Sequence, residues 1–141
     1  MQITAFCRAI LLICALFLSN ISMAELAVIV HPNNSATFDQ SIIKKLFLGK
    51  ETNFSDGKVA IPLNANEKLP TYELFNSKVL GKSFTQVNAY WARLVFTGKA
   101  TMPKILDSDA EIASTVAVNE GAIGYVDSSS VTDKVKVIAK F

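Results

Sequence analysis

The chain has 141 residues, 50% of them hydrophobic and 18% charged, with Lys plus Arg 14 against Asp plus Glu 12. This length fits one globular domain of about 150 residues, and near-neutral charge with nine Phe excludes a disordered tail or a polyelectrolyte. A formal charge of +2 is too small for a nucleic-acid protein whose affinity comes from neutralising phosphates.

Residues 1–24 read as a secretory signal peptide. Arg8 supplies the positive start, Ala9 to Leu18 an apolar core, and Ser22-Met23-Ala24 the small residues of a cleavage site. The apolar run is about ten residues, well short of the roughly 20 needed to span a bilayer. Cleavage after Ala24 leaves the domain from Glu25 to Phe141, and both cysteines, Cys7 and Cys14, leave with the signal. The exported domain then has neither a disulfide framework nor a thiolate nucleophile.

From Glu25 onward the periodicity alternates between two and 3.6, which predicts an α/β domain. Leu26 to Val30 is a continuous apolar run suited to a strand buried on both faces, and His31-Pro32-Asn33-Asn34-Ser35 breaks it with turn residues. A helix follows, capped by Asp39, with Phe38 and Ile43 as a hydrophobic staple, Ile42, Ile43, Leu46 and Phe47 as its buried stripe, and Gly49 at its end. Val59 to Leu63 is expected to be a second strand, placed at an edge or strand end by Pro62.

Pro70 opens a helix with Tyr72, Phe75 and Val79 on one face and Gly81 at its end. Ser83-Phe84-Thr85-Gln86 is a capping box that starts the strongest helix, its stripe formed by Phe84, Val87, Trp91, Leu94 and Val95 and its end marked by Gly98. The stripe makes Trp91 a core residue and leaves Tyr90 at its flank. A second capping box, Ser108-Asp109-Ala110-Glu111, opens the last helix, with Ile112 and Val116 inward and Gly121 at its end. Ala122 to Val126 and an edge strand in which Val135, Val137 and Ala139 alternate with lysines complete the order β-α-β-α-α-α-β-β.

Phe47-Leu48-Gly49-Lys50 closing a helix, Asp56-Gly57-Lys58 before a strand, Tyr90-Trp91 with Phe96-Thr97-Gly98-Lys99, Pro103, and Gly121-Ala122-Ile123-Gly124-Tyr125-Val126 stand in one order over nearly the whole exported chain. In these motifs the chain resembles the phosphate-type periplasmic solute-binding proteins of ABC transporters. The resemblance implies a single lobe of a periplasmic-binding-protein-like fold, a mixed β-sheet flanked by helices. Members of that family are longer, two-lobed clamshells with the ligand between the lobes, so one lobe would offer half a site unless a second copy or another protein supplies the rest.

The family's phosphate-contacting stretch, an Arg followed by a Ser-Gly-Thr turn at a helix start, would fall between Pro62 and Phe75. There the Arg position holds Ala65, the Ser position Leu69 and the Gly position Pro70, and Thr71 alone matches. Pro70 removes an N–H and Leu69 a hydroxyl from an anion site of the helix-terminus kind. Restoring Ala65→Arg and Leu69→Ser is expected to strengthen anion binding if the family geometry is kept.

The candidate ligand-binding residues are Asn34 and Ser35 after the first strand and Asn64, Asn66 and Thr71 after the second, both loops being expected at carboxyl ends of strands, where open α/β sheets bind ligands. Asn and Ser in such loops also serve as plain turn and cap residues. No metal or cofactor is expected. His31 is the sole histidine and has no cysteine nearby, and neither Gly49-Lys50 nor Gly98-Lys99 is a phosphate loop. Asp107, Asp109 and Glu111 read as helix-dipole complements, and Arg93 as a surface group.

Two functions follow as expectations. One is an exported, periplasmic, non-enzymatic solute-binding domain that binds phosphate or another small oxyanion for transport or sensing. The other is an interaction module that docks a membrane sensor, porin or transporter without binding phosphate itself. The partners expected are thus a small anion, a membrane transporter or sensor, or a second copy in a homo-oligomer, with no nucleic acid.

Overall fold

A computed structural model of the chain describes residues 24–141. The signal segment, apart from Ala24, and both cysteines lie outside the described residues.

Five strands form one sheet in the order β3-β2-β4-β1-β5. They are β1 (Leu26–Val30), β2 (Ile61–Ala65), β3 (Lys104–Leu106), β4 (Ala122–Asp127) and β5 (Lys136–Lys140). The helices are α1 (Gln40–Phe47), α2 (Pro70–Phe75, continued as a π turn through Asn76–Leu80), α3 (Phe84–Phe96) and α4 (Asp109–Val118), and Ser128–Ser130 adds a 3₁₀ turn. β2 runs parallel to both β3 and β4, whereas β1 runs antiparallel to both β4 and β5.

Alternating side chains send the two faces of the sheet to different helices. On β4, Tyr125 stacks on Phe75 of α2 at 3.9 Å between ring centroids and lies 5.7 Å from Phe47 of α1. Its neighbour Gly124 turns the other way, and a Cβ there would stand 2.6 Å from the Cγ2 of Ile112 on α4. The absent side chain lets α4 lie close against the sheet. All five residues of β1 are buried, as the apolar run predicts.

Helix ends follow local chemistry. Asp39 accepts the N–H of Ile42, and the Ser83/Gln86 capping box is closed from both sides. Gly49, Gly81 and Gly98 sit at helix ends with φ of 68°, 64° and 68°, a region that favours glycine. At α4 the box is not reciprocal: Ser108 accepts from the Glu111 N–H, but the Glu111 carboxylate accepts from Asp107 N rather than from the cap. That helix ends at Asn119, before Gly121, which lies against the Val59 carbonyl.

Several expectations are corrected. The second strand begins two residues later than its apolar run, because Val59 is bridged to Asn53 and Ala60 N bonds Thr52 O in a local hairpin. Of the two places Pro62 allowed, the strand end holds and the edge does not: β2 lies inside the sheet, and Pro62 is its second residue, paired with Ile123. β3 is an additional strand, too short to carry a periodicity. On α3 the stripe holds for Val87 and Trp91, while Phe84 and Val95 are exposed at their end of the helix. Ile42 is half-buried rather than part of the α1 core. Trp91 is buried against Gly49, and Tyr90 donates to Leu48 O at 2.5 Å.

Candidate functional site

The carboxyl ends of β2, β3 and β4 point the same way, and the segments leaving them bring together Asn64, Asn66, Thr71, Asp107, Asp109 and Tyr125. Asn64 and Asn66 flank the end of β2. Thr71 opens α2 behind Pro70, whose fixed φ suits the first helical position; the cap residue, Leu69, offers no side-chain hydrogen bond.

Three sets of hydrogen bonds hold the cluster. The Tyr125 hydroxyl donates to Asn64 Oδ1 and accepts from the Ala65 N–H at 3.1 Å. Thr71 Oγ1 donates to Asp109 Oδ1 at 3.1 Å, and Asp109 Oδ2 accepts the Asp127 N–H at 2.9 Å. Asn66 Nδ2 donates to Asp107 Oδ1 at 3.0 Å, while Asn66 Oδ1 accepts from Lys68 N and its backbone N–H bonds Leu106 O. Beside them lies a cleft of about 370 Å³, with Asn64, Asn66 and Lys68 on its polar side and Met102 and Ile105 on its apolar side.

Burial pushes the Tyr125 phenol well above its ordinary value, outweighing the Ala65 N–H that favours its charged form, so the hydroxyl stays protonated and can donate to Asn64. The Ser129 hydroxyl and backbone N–H hold the Asp127 carboxyl below the usual range.

Of the residues singled out from sequence, Asn64, Asn66 and Thr71 are brought together. Asn34 and Ser35 are not. β1 runs antiparallel to β4, so Leu26 faces Asp127 and the loop after Val30 emerges at the opposite end of the sheet. There Asn34 Oδ1 closes a turn onto Ala36 N, its carbonyl accepts from Lys136 Nζ, and Ser35 is exposed. His31 lies at that end too, its Nδ1 accepting from Asn33 N, away from every residue of the cleft.

Ala65, at the position the resemblance assigns to an arginine, is 1% exposed and borders the cleft. Three members of the cluster were not apparent from sequence: Asp107 and Asp109, which read as helix-dipole residues, and Tyr125, hidden in an apolar strand. The usable signal for Tyr125 is that a buried tyrosine hydroxyl needs a partner. Among the described residues no group of three His, Cys, Asp or Glu side chains is placed to hold a metal, and no helix is long and apolar enough to cross a membrane.

The same chain path occurs in solved transport proteins. A Clostridium perfringens protein described as a phosphate ABC transporter substrate-binding protein, with phosphate bound, matches with a TM-score of 0.65 at 24% identity over 82% of this chain and 45% of its own. An ABC-type phosphate transport receptor from Vibrio cholerae matches with a TM-score of 0.64 at 20% identity over 82% and 46%. PstS from Borrelia burgdorferi gives 0.62 at 13% over 82% and 47%. The chain has the fold of one lobe of a phosphate-type periplasmic solute-binding protein. It spans less than half the length of these structures. No protein-family model and no curated protein matches the chain.

Within this lobe the cleft can position hydrogen-bond donors and acceptors. The Thr71 hydroxyl and the Asn66 amide are held there by carboxylates.

Proposed function

We propose that this chain is an exported, periplasmic, non-enzymatic solute-binding lobe that takes phosphate or another small oxyanion at the carboxyl end of β2, in transport or sensing. The observation that carries this reading is the convergence of Asn64, Asn66 and Thr71 on one sheet end, beside a cleft, in the fold of phosphate-type binding proteins. Asp107 and Asp109 stand among these groups. A carboxylate beside the site accepts a hydrogen bond from a protonated ligand, so protonated phosphate is favoured over sulfate, which has no proton to donate near neutral pH. The open side of the lobe is completed by a membrane transporter or sensor, or by a second copy.

A second reading has its own observation. Thr71 and Asn66 already donate to Asp109 and Asp107, and Leu69 and Pro70 replace the donors of an anion turn. A lobe whose donors are satisfied internally serves as an interaction module that docks a membrane protein without binding phosphate.

Thermal unfolding of the purified protein against phosphate, sulfate and small carboxylates separates the two. At a hundred times its dissociation constant a ligand adds about 2.7 kcal/mol, several degrees for a domain of this size. A shift with phosphate and none with sulfate supports the first reading; no shift with any small anion overturns it and leaves the module.

A further inference from the structure

At the carboxyl end of β2, Asn64 stands between two strands. On one side it accepts from the Tyr125 hydroxyl of β4, and on the other its register partner on β3 is Ile105. Residues paired in a parallel ladder put their side chains on the same face, so the amide and the isoleucine are neighbours across strands about 5 Å apart. Both line the cleft of about 370 Å³, as does Met102.

The amide has one orientation open to it. The Tyr125 hydroxyl already accepts the Ala65 N–H at 3.1 Å, and burial keeps its own proton on, so that proton goes to Asn64 Oδ1. Asn64 Nδ2 is thereby turned away from the phenol. It makes no hydrogen bond among the described residues, and it is not sealed in as Asn76 Nδ2 and Ser128 Oγ are. Asn64 is 8% exposed, and it lines the cleft. Buried amide donors are nearly always paired, so a fixed and unpaired one at a cleft marks the place of an acceptor brought from outside.

Beside this donor the wall is apolar, with Ile105 51% and Met102 40% exposed. The cleft has room for roughly a dozen waters at about 30 Å³ each, more than an inorganic oxyanion fills. Lys68 and Glu67 border it with opposite charges, which leaves discrimination to the amide and the apolar wall. We propose, resting on the oxyanion reading above, that the cleft takes an oxyanion carrying a short apolar substituent, the class of alkyl phosphates and alkylphosphonates. One ligand oxygen accepts from Asn64 Nδ2, and the substituent lies on Ile105 and Met102. Tyr125 acts through Asn64, as the residue that aims its donor.

The test is an NMR titration of the purified protein with n-butylphosphonate and with inorganic phosphate, following the Asn64 side-chain amide. Both should shift it, with butylphosphonate at least about tenfold tighter, a factor that burial of about two methylenes supplies. Ile105→Ser, at a half-exposed position, should cost butylphosphonate its advantage over phosphate. Asn64→Asp still accepts from Tyr125 but replaces the donor with an anion, and it should weaken both ligands at least about tenfold. Phosphate binding as tightly as butylphosphonate, an Asn64 amide unmoved by a ligand that shifts Asn66, or an advantage that survives Ile105→Ser would each overturn this inference and leave the oxyanion reading in place. Absence of shifts with either anion would overturn both.

Discussion

The Thr71 hydroxyl donates to the Asp109 carboxylate, and the other oxygen of that carboxylate takes the Asp127 N–H. One side chain thereby ties the start of α2 to the end of β4. Asp109→Asn keeps the shape but can accept on one side only, so it presents an N–H to either Thr71 or Asp127. Loss of about 1–2 kcal/mol in urea unfolding is expected, the usual cost of breaking a partly buried hydrogen bond. On the oxyanion reading the same variant frees the Thr71 donor and removes a negative charge. Its phosphate-induced thermal shift should therefore exceed that of the parent, and a sulfate shift should appear. A variant that loses stability with neither anion effect favours the interaction module.

Tyr125 joins the core to the cleft, its ring stacked on Phe75 and its hydroxyl shared between Asn64 and Ala65 N. Tyr125→Phe leaves Asn64 and the Ala65 N–H without that partner in a buried position, and a cost of about 1–3 kcal/mol is expected. The pH dependence has a definite sign. Burial raises the phenol's pKa in the folded state above its ordinary 10.0. Its contribution is therefore fully present below pH 10 and is lost as pH rises from there towards the folded value, because the unfolded chain releases the proton first. Urea midpoints taken between neutral pH and pH 11 should fall more steeply for the parent than for Tyr125→Phe.

What could be read in the sequence was local. The Ser83/Gln86 box, the Asp39 cap and the glycines at 49, 81 and 98 act within a few residues of themselves, so their chemistry specifies a helix end wherever the helix goes. The burial of Trp91 follows from the α3 stripe, but Phe84 and Val95 on the same stripe stay half exposed, since among the described residues the ends of that helix are only partly covered. The direction of β1 is a matter of pairing with β4, about a hundred residues away, and nothing near Asn34 encodes it. Asn34 and Ser35 thus looked equivalent to Asn64 and Asn66, and only the antiparallel register separates them. Lys104–Leu106 is too short to show alternation, and it becomes a strand through its pairing with Leu63–Ala65. The partnership of Thr71 with Asp109 was hidden for the same reason, being made between segments joined only by the fold.

Gly124 offers a packing test free of the functional question. The Cβ of an alanine would stand 2.6 Å from Ile112 Cγ2 and 3.6 Å from Val116 Cγ2, with Leu63 Cβ at 3.7 Å on a third side. Ile112 is fully buried and cannot swing away without opening the α4 interface. Overpacking of this kind costs about 1–3 kcal/mol. Gly124→Ala should lower the urea midpoint by that amount, whereas a variant that unfolds like the parent would mean that α4 rides less tightly on the sheet.

The two changes that would rebuild an anion turn should behave in opposite ways. Leu69 is half-buried at the cap of α2, where no side chain serves the free N–H groups, and Leu69→Ser supplies a capping hydroxyl while giving up part of an apolar contact. A cap is worth about 0.5–2 kcal/mol, similar to what the lost contact removes, so the variant should fold with little net change. Ala65 is fully buried and its N–H is held by Tyr125. Ala65→Arg would force a guanidinium into a position that is 1% exposed, a change expected to cost at least about 3–5 kcal/mol and to leave little folded protein. Circular dichroism and urea unfolding of the two variants decide this. If Ala65→Arg folds and binds phosphate, the end of β2 is open to the cleft rather than closed by Tyr125. If it unfolds while Leu69→Ser stays native, any gain of oxyanion binding has to come from the α2 cap and from Asp109.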